Sequence, residues 1–132
     1  MNTKEFNDKF VIKGGKLINK VKASKFNNTK IEIDGYKFDS IKESEFYGSL
    51  KLKKQAGLIK DFKMQVKFDI VVKNKHIANY FLDFLVENND GSLEYIDIKG
   101  KDSKTNKFIK TSVFALKKRL VEAIYEIKIS MK

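Results

Sequence analysis

Residues 80–100, YFLDFLVENNDGSLEYIDIKG, constrain the fold more than any other part of the sequence. Two strand-like runs lie on the two sides of Asn89-Asp90-Gly91, which predicts two antiparallel strands joined by a tight loop. A three-residue loop with Gly91 in the left-handed conformation would pair residue 88 with residue 92. The pattern therefore predicts a hairpin with a defined register inside a sheet.

This register would bring two aspartates together. Asp83 would lie directly across from Asp97, with Lys99 two residues further on the same face. A two- or four-residue loop would instead separate the aspartates. The opposite face would be apolar, as a core requires, and would carry Leu82, Phe84, Val86, Ile96 and Ile98.

Two facing carboxylates repel each other unless a cation lies between them, and oxygen ligands favour a hard ion such as Mg²⁺. Asp83 and Asp97 are therefore candidate metal ligands, with Lys99 as a nearby cation. The alternative is that the same three residues form a structural ion-pair cluster, and their spacing alone does not decide between the two.

The rest of the chain predicts one domain with a mixed α/β sheet and the element order α-β-β-β-α-β, preceded by a short hairpin. The strand at 63–72 should carry Gln65, Lys67 and Asp69 on one face and, on the other, Met64, Val66, Phe68, Ile70 and Val72. The second helix should bury Val113, Leu116, Leu120 and Ile124. The predicted elements are a hairpin at 30–38, a helix at 40–57, strands at 63–72, 77–87 and 93–99, a helix at 112–124 and a strand at 125–131.

The first predicted helix carries a candidate catalytic glutamate. Ser40 is a typical N-cap, and Glu43 follows three residues later. Because Tyr47 and Leu50 lie four and seven residues after Glu43, all three should share the packed face. A capping box alone would also explain Glu43. Glu45 is the competing glutamate, but its spacing places it on a different face of the helix.

Charge indicates a polyanionic partner. The chain has 28 basic and 17 acidic residues and a net charge of +11, as expected for a protein that binds nucleic acid or an anionic surface. Residues 1–29 are lysine-rich and are predicted to form a basic arm before a domain at 30–132. Arg119 is the only arginine, which favours recognition of the DNA backbone or shape over base reading. The alternative is a merely solvated lysine surface.

Two further observations limit the class of protein. The sequence has no cysteine, which excludes a disulfide framework and a zinc-thiolate site. It also has no signal-peptide-like segment and no apolar stretch long enough for a membrane span, so we expect a cytoplasmic protein that does not bind membranes.

The ordered set Ser40-x-x-Glu43, Gln65, Asp83 and Asp97-x-Lys99 resembles the PD-(D/E)xK nuclease superfamily, whose core has the same element order. More narrowly, KFNNTKIEIDGYKFDSIKESEFY, LDF and YIDIKG resemble a family of small bacteriophage endonucleases similar to Holliday-junction resolvases. The resemblance covers roughly residues 25–129. It implies a restriction-endonuclease-like fold and, for a phage protein, the host cytoplasm. Val66, where relatives often have proline, departs from the pattern without removing a ligand.

The resemblance also implies roles for individual residues. Asp83, Asp97 and the carbonyl of Ile98 would bind Mg²⁺, or Mn²⁺ as a substitute, with Glu43 completing the site directly or through water. Lys99 would act on the attacking water and the phosphate. The residues expected to contact DNA are Ser40, Gln65, Lys101, Lys104, Lys20, Lys22 and Lys25.

These expectations add up to a Mg²⁺-dependent DNA endonuclease acting on branched or structured DNA. A homodimer is expected, because cutting both strands of a junction requires two active sites. The alternatives are a less selective nickase or end-processing nuclease, and a non-catalytic basic DNA-binding module with the same fold.

Overall fold

The computed structural model describes residues 30–132 and, before them, two short strands within the predicted basic arm. These strands, β1 (Phe10–Lys13) and β2 (Lys16–Asn19), pair antiparallel. The sequence analysis missed this pair, although FVIK and KLIN flank two glycines in the way typical of a hairpin. The chain divides into two compact units, Met1–Ser49 and Leu50–Lys132.

The first unit contains the predicted hairpin of residues 30–38. Strands β3 (Ile31–Ile33) and β4 (Tyr36–Phe38) pair antiparallel, with Ile33 opposite Tyr36. The two loop residues, Asp34 and Gly35, both have positive φ, 54° and 82°. That is the conformation of a type I′ turn, which Asp-Gly favours because both residues tolerate left-handed geometry. The prediction of this hairpin is confirmed.

Helix α1 (Ile41–Gln55) lies within the predicted 40–57, begins directly after Ser40 and ends two residues earlier than predicted. The Ser40 Oγ accepts a hydrogen bond from the Glu43 backbone N–H at 3.1 Å, which satisfies one of the unpaired donors of the first turn. After the helix, Gly57 takes a left-handed φ of 76°. Glu43 is buried and Glu45 is exposed, which confirms the predicted faces of the helix.

The second unit is built on a four-stranded mixed sheet in the order β5-β6-β7-β8. β5 to β7 pair antiparallel, whereas β7 and β8 are parallel and are connected through helix α2. The predicted element order is confirmed. The elements are β5 (Asp61–Val72), β6 (Lys75–Glu87), β7 (Leu93–Asp97), α2 (Ser112–Tyr125) and β8 (Ile129–Met131).

The β6–β7 hairpin has the predicted register. Phe84 pairs with Ile96 and Glu87 pairs with Leu93, and Gly91 has a φ of 87°. The Asn88 N–H donates to the Ser92 carbonyl at 2.9 Å and closes the three-residue loop. All five residues predicted for the apolar face of the hairpin are buried.

The pairing of β5 with β6 is interrupted beside Asp83. Met64 pairs with Phe84 and Val66 pairs with Leu82, but no pair joins Gln65 to Asp83, and Gln65 has a φ of 51°. A second irregularity lies between Ile70 and Val71. Beyond it Val72 is exposed whereas Ile70 is fully buried, so the face predicted to be shared by the even-numbered residues of β5 does not continue to Val72. Bulges of this kind re-aim the side chains around them.

Helix α2 packs on the sheet with a different face from the one predicted. Val121 is fully buried and Phe114 packs on the same cluster, whose other buried members are Ile70, Tyr80, Leu82 and Ile129. The inward face of α2 therefore includes Phe114 and Val121, which are seven residues apart. Its first residue is the bulkier Phe114 and not, as predicted, Val113. Val113, Leu116 and Ile124 are exposed, so their predicted burial is wrong, and Leu120 is half-buried.

Neither helix in the described part of the chain is long and apolar enough to cross a membrane.

Candidate active site

Asp83 and Asp97 meet where the pairing of β6 with β7 ends. The Asp83 backbone N–H donates to Asp97 Oδ1 at 3.2 Å, and the Ile98 N–H donates to Asp83 Oδ2 at 2.9 Å. Each carboxylate thus accepts a hydrogen bond from the backbone of the other strand. The sequence predicted this meeting from the loop length, and the contacts confirm it.

Tyr80 holds the second oxygen of Asp97. Its phenol donates a hydrogen bond to Asp97 Oδ2, and both side chains are buried. The Asp97 carboxylate is therefore fixed in position through both of its oxygens. Sequence reasoning missed Tyr80, because strict alternation along β6 assigns it to the apolar face together with Leu82 and Phe84.

Gln65 approaches Asp83 from the other neighbouring strand. Its Nε2 lies 3.4 Å from Asp83 Oδ1, at the long end of the hydrogen-bond range. The left-handed backbone of Gln65 occurs at this contact. A positive φ is uncommon for residues other than glycine and often marks a functional site. Gln65, one of the residues expected to contact DNA, therefore lies next to the carboxylate of Asp83.

Burial and repulsion raise the affinity of Asp83 for a proton. Burial raises the pKa of Asp83 to about 7, and the negative charge of Asp97 acts in the same direction. The Ile98 N–H and the Lys99 charge act against this rise without cancelling it. Burial and the hydrogen bond to Asp97 also raise the pKa of Tyr80. If both carboxyls were ionised, the pair would therefore carry more negative charge than its protein surroundings neutralise.

The two carboxylates open onto a cavity of about 270 Å³ between the sheet and the start of α2. Lys99 lines it, and its Nζ lies 4.0 Å from the centre of the Phe114 ring, within the distance of a cation–π contact. Thr111, the N-cap of α2, accepts a hydrogen bond from the Phe114 N–H at 3.1 Å. The remaining lining residues are Asn79, Tyr80, Phe81, Val113 and Lys117.

Two carboxylates fit Mg²⁺ better than an ion that needs a cage of protein ligands. No cluster of three or more His, Cys, Asp or Glu forms among the residues that the structure describes. Mg²⁺ is usually held by one or two carboxylates, with water and substrate phosphate completing its octahedron. Carboxylate oxygens also accept more than one hydrogen bond or metal contact. Asp83 and Asp97 therefore fit the ion that the sequence implies.

The other predicted site residues lie in different places. Ser40 and Glu43 belong to the first unit. Lys101 and Lys104 are exposed in the segment between β7 and α2, where Lys101 Nζ lies 4.8 Å from the centre of the Phe108 ring. Ile98 is buried beside Asp97. The predicted DNA contacts Lys20, Lys22 and Lys25 fall outside the described residues.

Comparison with known proteins gives a family without an assigned activity. The family described as "Protein of unknown function (DUF1064)" matches residues 23–132. No curated protein and no solved structure matches the chain.

Proposed function

The chain belongs to the DUF1064 family, and from the chemistry of its candidate active site we propose that it is a metal-dependent DNA endonuclease. It hydrolyses phosphodiester bonds, and its preferred substrate is branched or otherwise structured DNA. Its fold is of the restriction-endonuclease type, and it acts in the cytoplasm, that of the host if a phage encodes it. The structure described above is a mixed α/β fold, and the restriction-endonuclease type and the cytoplasmic location are parts of this proposal.

One observation carries the proposal: Asp83 and Asp97 share a cavity with Lys99. A purely structural ion-pair cluster would leave its carboxylates neutralised. Here the pKa of Asp83 stays raised, because burial and Asp97 outweigh Lys99 and the Ile98 N–H. Two carboxyl groups without enough positive charge around them favour binding of a cation, and this cation can arrive together with the substrate.

The residues of the cavity divide the work between them. Asp83, Asp97 and the carbonyl oxygen of Ile98 would hold Mg²⁺, and Mn²⁺ accepts the same oxygen ligands. The bound ion would polarise the phosphate and lower the pKa of a water molecule. Lys99 would orient that water and donate to the phosphate oxygens as charge accumulates on them. Glu43 is proposed to complete the site directly or through water.

Positive charge supports DNA as the substrate. Lys117 lines the cavity beside Lys99, and the net charge of the whole chain is +11. Lysine binds phosphate as a point charge without reading base edges, so affinity would come from the backbone and specificity from the shape of the DNA. A homodimer would supply two such sites to the two strands of a junction.

The test is cleavage of a supercoiled plasmid and of a synthetic four-way junction, with and without Mg²⁺. We expect cleavage only with the metal, and losses of several orders of magnitude in Asp83→Asn and Asp97→Asn, which keep the side-chain shape and remove a charge. Circular dichroism and DNA binding should be retained. Asp69→Asn is the matched control, since Asp69 is an exposed aspartate of β5 outside the cavity.

The outcomes separate the proposal from its alternatives. Wild-type cleavage rates in either cavity variant would exclude the metal site. Binding without cleavage by the wild type, at any concentration of Mg²⁺ or Mn²⁺, would leave a non-catalytic DNA-binding module. Nicking of the plasmid with no preference for the junction would indicate a nickase.

A further inference from the structure

Phe81 presents an aromatic ring at the mouth of the cavity that contains the two carboxylates. It lines this cavity together with Asp83 and Asp97, yet 53 % of it is exposed. Aromatic rings stabilise a fold most when they are buried, so a half-exposed ring next to a polar cavity contributes little of its possible stabilisation. Its position is better suited to a ligand that brings its own flat apolar face.

The surroundings of Phe81 favour an anionic ligand. Lys67 is its direct cross-strand partner, and the Lys67 side chain is exposed. Its Nζ lies 3.5 Å from Asp69, in a solvent-exposed ion pair that holds it weakly. Lys117 lines the cavity together with Phe81. An aromatic ring with one lysine on the neighbouring strand and another lining the same cavity combines a stacking surface with cations for phosphate, which is the combination that binds single-stranded nucleic acid.

We propose that Phe81 is a stacking platform for an unpaired base next to the phosphate that is cut. This proposal rests on the proposed function and narrows its substrate to DNA with an unstacked nucleotide at the cleavage site. In a continuous duplex both faces of each base are covered by its neighbours, so Phe81 has no free base face to contact. Single strands, flaps and the branch points of junctions do present one.

The spacing along β6 agrees with a single nucleotide. Phe81 and Asp83 are two residues apart, roughly 7 Å along a strand, so one nucleotide can place its base on the ring and its phosphate at the carboxylates. An acidic peptide is a worse ligand for this cavity. It would satisfy the lysines, but it would bring further carboxylates to Asp83 and Asp97, which already repel each other.

Binding measured without cleavage tests this directly. The Kd of the full chain is measured by fluorescence anisotropy, with Ca²⁺ in place of Mg²⁺, for a single-stranded oligonucleotide, for a flap and for the blunt duplex of the same sequence. We expect Phe81→Ala to weaken binding of the single strand and the flap by about 10- to 100-fold, the usual effect of losing one base-aromatic stack. Duplex binding should not change. Phe81→Trp should retain wild-type affinity for all three.

Ile77→Ala is the matched control. Ile77 lies on the same strand and is also 53 % exposed, but it does not line the cavity, so its substitution should leave all three affinities unchanged. A 2-aminopurine base placed at the mapped cleavage position should be quenched by the wild type and not by Phe81→Ala.

Failure of this inference is distinguishable from failure of the proposed function. Mg²⁺-dependent cleavage with equal affinities in wild type and Phe81→Ala, or with equal losses on single strand and duplex, would overturn the stacking role and leave the nuclease standing. A selective loss of single-strand binding in a protein that never cleaves would support the stacking role and overturn the nuclease. No binding to any of the three probes would overturn both.

Discussion

The phenol of Tyr80 donates a hydrogen bond to the carboxylate of Asp97, and the two side chains are only 4 % and 2 % exposed. A donor of this kind fixes the orientation of a carboxylate that is proposed to bind metal. Partners that orient metal ligands typically change metal affinity by 10- to 100-fold when they are removed. Tyr80 is therefore a positioning residue in the proposed site.

Tyr80→Phe should weaken metal binding and lower stability. It leaves a buried carboxylate oxygen without its donor, which typically costs about 1–3 kcal/mol of unfolding free energy. Mg²⁺ or Mn²⁺ affinity, measured by calorimetry without DNA, should fall by about tenfold or more. Tyr125→Phe is the control, since the Tyr125 hydroxyl donates to the Asp69 backbone carbonyl at 2.8 Å outside the cavity. Unchanged metal affinity in Tyr80→Phe would show that this hydrogen bond serves the fold alone.

The metal-free protein should lose stability as the pH rises from 5 to 8. Asp83 has a pKa of about 7 in the folded state and about 3.9 when unfolded. Because the folded pKa is the higher one, this stabilisation is complete below about pH 4 and is lost as the pH rises through 7. The charges that act on Asp83 are those of Asp97, which raises its pKa, and Lys99, which lowers it.

Denaturant unfolding at several pH values, with EDTA present, measures this loss. Asp83→Asn cannot take up a proton at this position and should flatten the profile between pH 5 and 8. In the wild type, Mg²⁺ added at pH 8 should restore the stability that the metal-free protein loses. A wild-type profile that rises with pH over this range, or one that matches the Asn variant, would contradict the raised pKa.

The sequence predicted the parts of this site that depend on local chemistry. The Asn-Asp-Gly loop determines the register, and the register brings Asp83 to Asp97. Next to these two residues, however, the side chains of β6 do not alternate strictly between the two faces of the sheet. Leu82 and Leu85 contribute to the same hydrophobic cluster. In a regular strand, two residues that are three positions apart point to opposite faces. The irregularity at Gln65 accompanies this change, and nothing in a glutamine side chain predicts left-handed geometry.

The contacts of Tyr80 and of helix α2 depend on long-range packing. Both Val113 and Phe114 begin an apolar stripe with helical spacing, and only the shape of the sheet beneath selects Phe114. Tyr80 reaches Asp97 from a position that periodicity assigns to the core. Single-residue choices of this kind follow from tertiary packing, which outweighs local periodicity.

Deletion of residues 1–24 tests the predicted basic arm. It removes six lysines, namely Lys4, Lys9, Lys13, Lys16, Lys20 and Lys22. Each lost phosphate contact should lower the slope of log affinity against log salt by about 0.9 on duplex DNA. Binding titrations at salt concentrations from about 50 to about 200 mM measure that slope. An identical slope in the truncated chain would show that the arm makes no phosphate contacts.

Glu43→Gln separates a catalytic role of Glu43 from a structural one. The Ser40 hydroxyl already caps the helix through the Glu43 backbone N–H, a contact that the substitution retains. Glutamine can also complete a capping box in place of glutamate. A purely structural Glu43 should therefore lose only a fraction of the roughly 1 kcal/mol typical of a cap, with cleavage unchanged. If Glu43 serves the metal site, Mg²⁺-dependent cleavage should fall by orders of magnitude while the denaturation midpoint is kept.

Glu45→Gln is the control for the same helix, because Glu45 is exposed whereas Glu43 is buried. It removes an equal charge two residues away, so any general effect of helix charge on DNA affinity should appear in both variants. A loss of cleavage confined to Glu43→Gln would show that cleavage depends on the position of Glu43 and not on the charge of the helix in general. Loss of cleavage in Glu45→Gln with full activity in Glu43→Gln would mean that the exposed face of α1, and not its packed face, serves the reaction.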